Sequence, residues 1–72
     1  MLTELNYKTA STPEDNKALE TFYKNKHSYQ SDDANIDTLK YEAAKMTIDC
    51  FNTGPYMVDV DVFELKLYKK EN

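Results

Sequence analysis

Cys50 and His27 are the one pair of residue types in this chain that could act as nucleophile and base. Cys50 falls in an apolar stripe of a predicted helix, where a buried thiol keeps its proton and stays inert. His27 falls in a polar connecting segment, so the two are not expected to meet. Structural zinc normally takes four His or Cys ligands, and this chain has one of each. Two groups of carboxylates come next: Asp59, Asp61 and Glu64, and Asp32, Asp33 and Asp37. Calcium loops need oxygen ligands at fixed steps and a glycine for the sharp turn. The first group instead alternates with valines, as the solvent face of a strand does, and Asp32 and Asp33 suit the positive end of a helix. Gly54 is the single glycine, which excludes a glycine-rich phosphate loop. The inventory therefore predicts no catalytic site, no metal site and no cofactor, and the chain is not expected to be an enzyme.

Composition narrows the partners. All nine basic residues are lysines, and the formal charge is −4. Arginine is the preferred reader of phosphate and guanine, so direct binding to nucleic acid is not expected. No apolar run approaches the roughly 18–20 residues of a membrane span. Residues 1–5 lack the basic start and apolar stretch of a signal peptide. A lone cysteine suits a reducing compartment, and the expected location is the cytoplasm of a bacterium or an infected host cell. The abundance of Lys, Asn and Tyr is compatible with an AT-rich source such as a low-GC bacterium, a phage or a plasmid.

Few elements are available to position any site. The 72 residues fall short of the common domain size of about 100–150, so a single domain over 1–72 is expected. Residues 2–8 partly alternate, with Leu5 and Tyr7 on one side, and predict a short strand. Thr12 caps a helix over 13–26, with Pro13 in its first turn and Ala18, Leu19, Phe22 and Tyr23 on its apolar face. Ser31, Asp32 and Asp33 are alternative caps for a second, longer helix over about 33–51, stopped by the segment Asn52 to Pro55. That helix carries two stripes: Ile36, Leu39, Ala43, Met46 and Cys50, and Tyr41, Ala44, Ile48 and Phe51. A helix apolar around so much of its circumference buries two sides. Either the strands and the first helix cover one stripe each, or part of one stripe meets another protein.

Residues 56–68 read as one long strand. Val58, Val60 and Val62 form the apolar set, then Phe63, Leu65 and Leu67 do, which moves the apolar side to the opposite face. A bulge at Val62-Phe63 would restore a single face; otherwise each half buries a different face, one of them on a partner. The expected fold is α+β, strand–helix–helix–strand, with a short antiparallel sheet packed on the longer second helix. A long last strand would leave edge free for strand addition.

Six tyrosines supply interface material, since tyrosine joins a large rigid apolar body to a polar tip. The expected function is that of a small acidic protein-binding modulator, of the kind phages and mobile elements encode as inhibitors of host enzymes or defence complexes. Its carboxylates at Asp32, Asp33, Asp37, Glu42, Asp49, Asp59 and Asp61 would imitate nucleic acid toward a nucleic-acid-binding enzyme. The partner-binding residues expected are Tyr41, Ile48, Phe51, Tyr56, Asp59, Asp61, Phe63 and Tyr68. A homodimer through the last strand or the spare stripe is expected as well. The alternatives are an accessory or structural subunit of a larger assembly, and a small-ligand binder with a pocket between subunits.

Overall fold

Local hydrogen bonds decide where each element begins. The computed structural model describes residues 1–30, 35–52 and 54–71. Thr12 caps α1 (Pro13–Tyr29), its hydroxyl accepting the Asp15 N–H at 3.1 Å. The Asp15 carboxylate reaches back to the Ser11 N–H at 3.2 Å, a reciprocal arrangement that satisfies two N–H groups at this helix entry. Asn35 caps α2 (Ile36–Phe51) by accepting the Thr38 N–H at 2.9 Å. The caps expected from sequence, Ser31, Asp32 and Asp33, lie outside the described residues. With 17 residues against 16, α1 rather than α2 is the longer helix.

Residues 2–8 do not form one strand. β1 is Leu2–Glu4, because the Asn6 side chain then accepts the N–H groups of Lys8 and Thr9 and turns the chain. Leu5 is still buried, while Tyr7 is swung out to stack on Tyr23 of α1, ring centroids 5.7 Å apart.

The long C-terminal strand is in fact a hairpin. β2 (Tyr56–Asp61) and β3 (Glu64–Lys70) pair antiparallel, with Val62 and Phe63 as a two-residue turn. Both turn residues have positive φ, 51° and 58°, as a type I′ hairpin turn requires. The turn accounts for the phase slip. In this register Val58 faces Leu67 and Val60 faces Leu65, so both apolar sets lie on one side of the sheet. Neither a bulge nor two oppositely buried halves is needed. The sheet order is β1-β3-β2, and the chain's first and last strands pair antiparallel as expected.

The fold is α+β, with three strands instead of two. α2 packs chiefly on β2, and α1 packs against α2 and β3. Ala18, Leu19 and Phe22 of α1 meet Leu39, Ala43 and Met46 of α2 over Leu5, Val58, Leu65 and Leu67. Burying each of these larger side chains contributes about 1.5–3 kcal/mol before chain entropy is charged against it.

Candidate interaction surface

The sheet edges come first, because strand addition needs a free one. The Leu5 N–H bonds to the Leu67 carbonyl, so the polar groups of Leu67 face β1 and those of Val58 point away from β3. There the Thr47 hydroxyl of α2 meets them. It accepts the Val58 N–H at 2.8 Å and lies 3.2 Å from the Val58 carbonyl, while donating to the Ala43 carbonyl at 2.8 Å. The Val60 N–H, on the same edge, donates to the Asp59 carboxylate at 2.8 Å. On the other outer strand, the Thr9 hydroxyl donates to the Glu4 carbonyl at 3.0 Å. These side chains occupy positions that an added strand would need. The last strand, β3, lies between β1 and β2, so the free edge expected along it shrinks to the residues ahead of its pairing with β1, where the Gln30 side chain accepts the Leu65 N–H at 3.4 Å.

The two stripes of α2 have different fates. At 100° per residue, Leu39, Ala43 and Met46 centre on the face turned to the sheet, and all three are buried. Tyr41 and Ile48 sit on the opposite pole and are 65% and 66% exposed. Ala44, between them, is exposed as well. Phe51, the last member of that stripe, is the exception. It is buried beside Tyr56 with ring centroids 6.2 Å apart, so it is a core residue and not part of a docking face. Strand and first helix therefore do not share the two stripes between them. Tyr41, Ala44, Lys45, Ile48 and Asp49 line an open, mainly apolar depression of about 300 Å³. One rim is fixed: the Tyr29 hydroxyl donates to Asp49 at 2.9 Å, and this bond, with burial and the charge of Asp49, pushes the Tyr29 phenol up to about 12.

The other candidate residues separate into three places. Tyr56 points into the fold, where its hydroxyl donates to Asp15 at 2.7 Å and Lys69 approaches the same carboxylate oxygen at 3.0 Å. Asp15 is 1% exposed. Burial alone would raise its pKa, but the bonds from Tyr56, Lys69 and the Ser11 N–H, with the charge of Lys69, hold the carboxyl well below its usual range. Burial, followed by the bond to Asp15 and its charge, pushes the Tyr56 phenol up to about 12. This cluster closes one end of the core and is structural. The sequence carried half of its signal, in the Thr12–Asp15 helix start, but not the partners.

Asp59, Asp61 and Tyr68 lie on the outer face of the sheet, with Met57, Lys66 and Glu4 as neighbours across the strands. Lys66 lies 3.7 Å from Glu4 and 3.8 Å from Asp61. Asp49, Asp59 and Asp61 are thus each engaged by a neighbour within the chain. Asp32 and Asp33 lie outside the described residues. Phe63 stands at the hairpin tip beside Val62, 66% and 83% exposed.

His27 and Cys50 line different depressions. Among the described residues no group of three His, Cys, Asp or Glu could hold a metal ion, and no described helix is long and apolar enough to cross a membrane. No family model, characterised protein or solved structure matches this chain.

Proposed function

We propose that this chain is a small protein-binding modulator that docks on a larger protein through the outer pole of α2. The observation that carries the reading is the exposure of Tyr41 and Ile48 on the side of the helix opposite the core, with Ala44 between them. An exposed tyrosine costs little ordering entropy on binding, and a small residue between two large ones lets a partner approach closely. The short acidic profile fits the class of phage- or mobile-element-encoded inhibitors that act on a host enzyme or defence complex by contact.

The test is a Tyr41→Asp/Ile48→Asp double variant. Both side chains are exposed, so stability should change by only about 0.5 kcal/mol per site. Capture of the target from a cell lysate should be lost although the far-ultraviolet circular dichroism is unchanged. A target held equally well by the variant would refute docking on this pole. Retention of capture in high salt would favour apolar docking over imitation of nucleic acid.

A further inference from the structure

The hairpin tip has the wrong residues for its own turn. A type I′ turn takes both central residues into the left-handed region and is normally built from Asn-Gly. Here a β-branched valine and a phenylalanine adopt φ of 51° and 58°. In that region the Cβ of an L-residue crowds the following carbonyl, and branched or bulky side chains crowd it most. No burial offsets the strain, since Val62 is 83% and Phe63 66% exposed. Both residue types favour extended backbone, and strand lies on either side of them, Tyr56–Asp61 before and Glu64–Lys70 after. At the turn, local preference and tertiary pairing therefore pull in opposite directions.

β3 is held by much more than the turn. It lies between β1 and β2, and its Leu65 and Leu67 are 0% and 1% exposed. Its Lys69 meets the buried Asp15 at 3.0 Å, and its Glu64 meets Lys26 at 2.8 Å. A chain that extends through Val62-Phe63 carries β3 away from all of these partners. A second chain that does the same supplies an identical strand to the vacated place. Every contact of β3 then forms between chains, with the same sheet order and the same registers. An extended segment also turns Val58 and Val60 to one face and Leu65 and Leu67 to the other, so each apolar set meets the core of a different lobe. The gain is the strain released at two residues in each chain, set against the freedom lost on association. Short hinge loops under strain invite this kind of exchange.

We propose that this chain forms a strand-exchanged dimer, in which β3 of each protomer completes the sheet of the other and Val62-Phe63 is the extended hinge between two lobes. The core of each lobe is then built from both chains. Exchange requires Leu65 and Leu67 to leave the core, so the closed and exchanged forms interconvert slowly, through largely unfolded chains. The outer pole of α2 faces away from the sheet and stays uncovered in both lobes. The inference is therefore independent of what that pole binds.

Refolding the full chain from urea at about 1 mM, followed by size-exclusion chromatography of the diluted protein, tests it. Wild type should give a dimer that persists on dilution and has the far-ultraviolet circular dichroism of the monomer. An interchain disulfide then reads the exchange itself. Asp59 and Lys66 are directly opposed across β2 and β3. A chain with Asp59→Cys and a chain with Lys66→Cys, both also Cys50→Ser, are refolded together and oxidised. A disulfide-linked heterodimer is expected, because these positions come within bonding range only when β2 of one chain pairs with β3 of the other. The Val62→Asn/Phe63→Gly variant should melt at least about 5 °C higher, since its turn is relaxed. It should dimerise about a hundredfold more weakly or less still, one factor of about ten for each relaxed hinge. The rise in melting temperature rules out unfolding as the cause. Wild type that refolds only to monomer at that concentration would overturn the proposal. So would a dimer whose two single-cysteine chains stay unlinked, which would be a surface contact, or a tip variant that dimerises as well as wild type. None of these results touches the lysate capture test of α2 docking, so failure of one reading is distinguishable from failure of the other.

Discussion

Thr47→Val isolates what the closed edge of β2 contributes. The two side chains have nearly the same shape and similar helix propensity, so the change removes a hydroxyl and little else. Val58 is 2% exposed, and in the variant its N–H loses its 2.8 Å acceptor. A buried donor left unpaired costs about 1–3 kcal/mol. The lost bond to the Ala43 carbonyl adds little, because that carbonyl retains its place in the helix ladder. A destabilisation of about 2 kcal/mol is therefore expected. In a domain this small each kcal/mol moves the melting temperature by about 4–8 °C, so the midpoint should fall by about 8–16 °C. Urea titration followed by circular dichroism measures the free energy, and Thr47→Ser, which keeps the hydroxyl, should lose about 1 kcal/mol or less. Hydrogen exchange at the Val58 amide should accelerate in Thr47→Val more than at amides bonded within the β2–β3 ladder. If Thr47→Val is as stable as wild type and its Val58 amide stays protected, the argument that a side chain closes this edge is refuted.

The Asp15 cluster yields the remaining predictions. Lys69→Met leaves a buried carboxylate without its cation and should cost about 3–5 kcal/mol in urea unfolding. Tyr56→Phe removes one bond to a charged acceptor, and about 1.5–3 kcal/mol is expected. The Asp15 carboxyl is depressed in the folded state, so its contribution is present above its ordinary value of 3.8 and is lost as pH falls below it. Asp15→Asn should flatten that part of the acid limb of a stability–pH profile. Tyr56 behaves oppositely: its phenol rises from 10.0 to about 12 on folding, so its contribution is full below pH 10 and is lost as pH rises through 12. In Tyr56→Phe the alkaline fall in melting temperature should be shallower than in wild type.

Sequence periodicity alone determined much of this molecule. Thr12-Pro13 and the following acids announced α1. The stripe Leu39, Ala43 and Met46 was legible as one apolar side of α2, because helical spacing puts those residues on one face whatever they pack against. The second stripe, with Tyr41 and Ile48, was equally legible as apolar. Only the tertiary structure decided that it is uncovered. The material to cover it went elsewhere: α1 packs against β3 and the inner side of α2, and the sheet takes the opposite pole. The phase slip after Val62 was visible too, but its cause was not. Type I′ turns are recognised by Asn or Gly, and Val62-Phe63 carries neither, so local chemistry argued for a continuous strand while the pairing of β2 with β3 forced a turn. The Asp15–Tyr56–Lys69 cluster joins residues as far as 54 positions apart in the chain, since Asp15 bonds to Lys69. Contacts of that kind leave no periodic trace, because they depend on how elements dock and not on how each one repeats.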